Sequence, residues 1–150
     1  MSKISNAASA VGKGLFAGAA GTAAMTVSST LEAKLRDRGS SSAPAEAAGR
    51  VLGVEPCDEA GEARFSNIVH WGYGTSWGAV RGLLGLTSAS PAAAGARPFA
   101  AVWGGEQVML PALGVSPPMW KLGAKETAID AWHHAVYAGA TTIAYELLDR

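Results

Sequence analysis

The sequence predicts an all-α fold, an integral membrane four-helix bundle of Ala/Gly-rich helices in a single domain over residues 1–150. Three observations predict it. Only 16% of the residues are charged, against roughly 25% in an average soluble domain. Glycine supplies 19 of the 150 residues, and small residues let helix backbones approach closely. Four segments, 14–31, 65–86, 93–113 and 127–148, are long enough as helices to cross a hydrocarbon layer of roughly 30 Å. No strand alternation or long β-branched run competes. One number points the other way: the mean hydropathy is +0.16, low for a polytopic membrane protein, so a soluble bundle stays open as the alternative.

The first helix is expected over 14–31, a stretch without charge between Lys13 and Glu32. Residues 32–64 form a polar loop holding half of the chain's Asp, Glu, Lys and Arg, with Gly39-Ser40-Ser41-Ser42 and Pro56 as breakers and a short helix near Pro44 to Leu52. Cys57 lies in this loop without a second cysteine, so it reads as an ordinary thiol. The second helix, 65–86, carries Arg81 as its one formal charge. Ser88-Ala89-Ser90-Pro91 breaks the chain before the third helix, 93–113, whose regular part is expected from Pro98 because proline suits a first helical turn. Gly114 and Pro117-Pro118 stop it. The fourth helix, 127–148, opens on a capping box of Thr127 with Asp130. Trp71, Trp120 and Trp132 fall near helix ends on one side, where amphipathic rings favour an interface.

Close packing is expected through small-residue faces. Gly14, Gly18, Thr22 and Thr26 recur every four residues on the first helix. Gly74, Gly78 and Gly82 do so on the second, and Ala131, Ala135 and Gly139 with Thr142 on the fourth. Such a face serves either internal packing or another chain.

Ionisable groups within the helices mark where function would sit. Glu32, His70, Glu106, His133 and His134 are expected in one polar layer, and Arg81 with Glu146 as a buried ion pair at the opposite end. His133 and His134 are adjacent and point about 100° apart on a helix, so one of the two is expected to face the interior. The layer reads as a hydrogen-bonded structural belt, as a proton or small-solute pathway, or as a metal or haem site. No Glu-x-x-His pair of a di-iron bundle occurs. No catalytic residue is expected: nucleophile-elbow, phosphate-loop, zinc-protease and dinucleotide motifs are all missing, and the Gly-Tyr-Gly at Gly72 to Gly74 lies inside a helix.

Leu110-Pro111, Gly114-Val115-Ser116-Pro117-Pro118, Glu126, His134 and Tyr145-Glu146 to Arg150, together with His70-Trp71 before Gly74 and Gly78 and the stretch Gly14 to Glu32, resemble the YagU-type family of bacterial inner-membrane proteins, whose function is largely uncharacterised. The chain departs from the pattern in its doubled histidine and in a single terminal arginine where basic residues cluster. The resemblance implies a multi-pass inner-membrane location and a stress or acid-resistance role, with no mechanism attached.

The expected function is therefore that of a small polytopic membrane protein, not an enzyme, with a structural or accessory role in a larger membrane complex. The alternatives are a proton- or solute-handling protein using His70, Glu106 and His134, and a metal- or haem-binding redox protein. No cofactor is assigned. The expected partners are the lipid bilayer and other membrane subunits. Balanced charge and the lack of a basic patch exclude nucleic acid.

Overall fold

A computed structural model describes residues 3–39, 41–87 and 90–150. It is all-helical, and no strand occurs among the described residues. The elements are α1 (Lys3–Leu35), α2 (Ala43–Leu52), α3 (Glu59–Gly85), α4 (Pro91–Ala112), α5 (Met119–Leu122) and α6 (Ala124–Leu148). The expected breaker at Ser88-Ala89, and Ser40 within the loop, lie outside the described residues. α1 is the central element, lying along α3 on one side and α6 on the other. α4 closes the arrangement against α6 and α3, while α2 rests on α3 and α5 on α6.

Helix boundaries follow from local chemistry. Asp58 accepts from the Gly61 N–H at 2.6 Å, and Glu59 and Glu62 occupy the first turn of α3, where negative charge suits the helix dipole. α3 thus begins six residues earlier than its apolar stretch suggests. Ser90 caps α4 by accepting from the Ala93 N–H at 3.3 Å, so Pro98 falls inside the helix rather than at its start. The expected capping box at Thr127 is also absent. α6 starts at Ala124, and the Thr127 hydroxyl instead donates back to the Gly123 carbonyl at 3.1 Å. Gly114, at φ 68°, takes the left-handed conformation that ends α4, with Val115 N–H reaching the Leu110 carbonyl at 2.9 Å.

The α1–α3 contact is a backbone-to-backbone seam. A Cβ added at Gly18 would lie 2.7 Å from the Thr75 carbonyl oxygen and 2.8 Å from the Gly78 Cα. Gly14 meets the Gly78 backbone and Gly82 the Ala10 backbone in the same way, while Gly74 makes room for the Thr22 side chain. On the α6 side, Gly21 of α1 sits against Tyr137 and Thr141. The small-residue stripe of α6 is a correction: nothing lies within 4 Å of a Cβ at Gly139, which is exposed together with Ala135. The buried face of α6 is His133, His134, Tyr137, Ala138, Thr141 and Tyr145. The α1–α6 contact also requires glycine on the α1 side, since a Cβ at Gly21 would lie 2.9 Å from the Tyr137 carbonyl oxygen, while α6 itself keeps larger side chains at its contacts.

The burial pattern is inverted relative to an ordinary core. The buried apolar residues are alanines with Val102, Tyr137 and Tyr145, and the largest fully buried side chains are Thr22 and Thr141. Phe16, Ile68, Val108, Trp120 and Trp132 are all more than 60% exposed, and many other leucines and valines face outward.

The membrane-spanning expectation is corrected here. Among the described residues, no helix is long and apolar enough to cross a membrane. Length is not what fails, since α1, α3, α4 and α6 have 33, 27, 22 and 25 residues. Gly, Ser and Thr dilute the apolar side chains, and α3 carries His70 near its middle and Arg81 toward its C-terminal end. The multi-pass inner-membrane location, and the reading of Trp71, Trp120 and Trp132 as bilayer anchors, fall with it.

Candidate functional site

The five residues expected in one polar layer are all brought into the helical interfaces, but they form three separate contacts. His70 of α3 meets Thr26 of α1, with Nε2 to Oγ1 at 2.9 Å. The single hydroxyl proton of Thr26 goes to the Thr22 carbonyl at 2.7 Å, so its oxygen accepts and His70 Nε2 carries the hydrogen. Burial lowers the His70 pKa below its usual value.

His133 turns toward α1. Its Nδ1 lies 2.9 Å from the Ser28 hydroxyl, and its Nε2 lies 3.8 Å from Glu32 Oε2, without a hydrogen bond. Glu32 in turn is bound by Arg36 at 2.8 Å and by Arg38. Arg36 reaches on to α6 as a fork on Glu126, one arm at 2.9 Å. Arg38 and Arg36 together hold the Glu32 carboxyl down at about 2. Beside this cluster an open groove of about 900 Å³ runs between α1 and α6, lined by Val27, Leu31, Ile129, Trp132 and Val136 with His133 in its wall.

His134 turns toward α4 instead. Both adjacent histidines are therefore buried, at 6% exposure each, which corrects the expectation that only one faces inward. Sequence reasoning missed this because α6 packs against α1 and α4 together, and a helix wedged between two neighbours can bury directions 100° apart. His134 Nε2 lies 2.8 Å from Glu106 Oε2, and Nδ1 lies 2.9 Å from the Asp130 carbonyl and 3.5 Å from Asp130 Oδ1. The Asp130 carbonyl can only accept, so Nδ1 carries a hydrogen, and Nε2 faces the Glu106 carboxyl group. Burial alone would lower its pKa, but the hydrogen bond and charge of Glu106, helped by Asp130, outweigh that and raise it to about 9.

Asp130 is the member of this cluster that the expected layer omitted. Its Oδ2 accepts from Trp103 Nε1 at 2.9 Å and from Gln107 Nε2 at 3.3 Å, both on α4. Its spacing of four residues from His134 was the available signal, since such pairs share a helix face.

At the other end, Arg81 is 4% exposed, with its guanidinium 3.9 Å above the Tyr145 ring and 3.8 Å from the half-exposed Glu146. Its Nε has no hydrogen-bond partner. Cys57 is a free, exposed thiol. No family model, curated protein or solved structure matches the chain.

Proposed function

We propose that this chain is a non-catalytic helical component that works inside a larger assembly, with its apolar exterior covered by other polypeptide. The observation that supports this is the inverted burial: alanine, glycine and threonine fill the helix interfaces while Phe16, Leu31, Ile68, Val108 and Trp132 face outward. Exposed apolar side chains are normal when scattered singly, but contiguous patches mark interaction surfaces. Along the α1–α6 groove, Val27, Leu31 and Leu35 follow one another at four-residue spacing opposite Trp132, all exposed. A helix lays its apolar face into a groove of this kind. The close glycine seam gives the component a stiff frame, because its backbones touch directly.

Single cysteines at Phe16, Leu31 and Val108, placed in a Cys57→Ser background, test the reading by maleimide labelling in gently prepared cell extract. A cysteine at the exposed polar residue Ser41 serves as control. The three apolar positions are expected to label slowly in extract and rapidly after denaturation, while Ser41→Cys labels rapidly in both. Equal, rapid labelling at all four positions in extract contradicts the proposal.

A further inference from the structure

Glu106, Asp130 and His134 each offer a ligand atom within 4.8 Å of the others, the one such His/Cys/Asp/Glu group among the described residues. We propose that these three side chains form a binding site for a divalent transition-metal ion of the zinc class. Imidazole and carboxylate are the donors such ions take, at about 2.0–2.2 Å.

Three features of the geometry carry this. First, the ion enters where a proton now lies: Nε2 and Oε2 are 2.8 Å apart, and a tetrahedral ion between them needs roughly 3.3 Å from the bond lengths above. The helices need hardly move. Second, the other ring nitrogen is already oriented. Nδ1–H donates to the Asp130 carbonyl at 2.9 Å, and metal-binding histidines almost always hold their second N–H in this manner. Nε2 is thereby the nitrogen presented to Glu106. Third, the Asp130 carboxylate is steadied by Trp103 and Gln107 through one oxygen. Its other oxygen, Oδ1, lies 3.5 Å from the opposite ring nitrogen, Nδ1, on a half-exposed side chain, so this carboxylate has to turn about its own bonds to reach the ion. His134 and Glu106 are the buried members, so Asp130 marks the route of entry.

The exchange balances simply. The ion takes the Nε2 lone pair and one oxygen from each carboxylate, and the Nε2 proton leaves to solvent. Water completes the coordination. The site joins α4 to α6, so a bound ion would fix the register of α4. This inference is independent of the assembly reading: an isolated chain would bind the ion equally well.

Titration of chelator-treated protein with Zn²⁺, followed calorimetrically, tests it. One ion per chain is expected. Glu106→Gln and Asp130→Asn should each weaken binding roughly tenfold or more, and His70→Gln should leave it unchanged, with circular dichroism confirming that each variant is helical. The ¹⁵N resonance of His134 Nε2 in the unmodified protein supplies a measurement that needs no variant, and it should move on Zn²⁺ addition while those of His70 stay. No uptake at millimolar Zn²⁺, unchanged affinity in both carboxylate variants, or an unmoved His134 Nε2 resonance would each overturn the assignment.

Discussion

His134 Nε2 of α6 lies 2.8 Å from Glu106 Oε2 of α4, and both side chains are at least 85% buried. A buried charge pair of this kind is costly to desolvate and costly to break. Its consequence is a pH dependence of stability. The His134 pKa rises from the usual 6.5 to about 9 on folding. The protonated ring therefore stabilises the fold fully below about pH 6.5, and that contribution is lost as pH rises from there toward 9. At about 1.4 kcal/mol per unit, the swing is on the order of 3 kcal/mol. Urea unfolding in the presence of a chelator should show it between pH 6 and pH 9. The Glu106→Gln variant, which removes the charge that raises the pKa, should show a much flatter profile; an equally steep one contradicts the account.

The opposite slope is expected in acid. Glu32 is held at about 2 by Arg38 and Arg36, and Glu126 is lowered through its hydrogen bonds to Arg36. Groups lowered on folding stabilise above their unfolded pKa of roughly 4.3, and the contribution fades as pH falls toward the folded value. Melting temperature should therefore drop between about pH 4.5 and pH 2. Arg36→Gln should reduce that drop and loosen the link between the end of α1 and the start of α6. Melting curves of the two proteins across that range check it.

The glycine seam makes a paired prediction. Alanine at Gly18 would meet the Thr75 carbonyl and Gly78 Cα, both backbone atoms that cannot swing aside. Gly18→Ala should cost about 1–3 kcal/mol by overpacking. Gly12 lies in the same helix with nothing within 4 Å of an added Cβ. Gly12→Ala should be neutral or stabilising by up to about 1 kcal/mol, because alanine is the better helix former. Denaturant midpoints that shift equally for both would contradict the seam.

Arg81 offers a less intuitive case. Its side chain is 4% exposed, its Nε is unpartnered, and Glu146 is 3.8 Å away and half-exposed. The buried charge is met by the Tyr145 ring at 3.9 Å and by a carboxylate oxygen beyond hydrogen-bond distance. Arg81→Met keeps an unbranched side chain at the buried position and removes the charge. It should stay within about 1 kcal/mol of the parent, or exceed it. A loss of several kcal/mol in urea unfolding would show that the Tyr145 and Glu146 contacts outweigh desolvation.

How much of this was legible in the sequence depends on which residues carried the signal. The glycine spacing on α1 and α3 marked its seam, because only glycine permits a backbone contact and its four-residue repeat is visible. The same spacing misled on α6, where Gly139 faces outward and His133, His134, Tyr137 and Thr141 make the contacts. Small residues show where close approach is possible, not where it happens. The membrane expectation failed for a related reason. Low charge and suitable length were read correctly, but Ser, Thr and Gly left the helices short of the required apolarity. The positions of His70, Glu106, His133 and His134 in helices were legible. Their partners were not, since the division into Thr26, Ser28 and Asp130 contacts depends on helix rotation. Asp130 was read as a helix cap instead, because its part in the site comes from Trp103 and Gln107 on another helix.

The claim that this chain works within an assembly is tested most directly by the mass of the particle that contains it. Sedimentation of the chain from gently prepared extract, followed by native mass spectrometry, reads that mass against the 15.2 kDa of one chain. The account predicts a discrete particle of several times that mass, which charged substitutions at Leu31 and Val108 disperse while the helices remain folded. A particle of one chain alone, folded and unchanged by those substitutions, would contradict it.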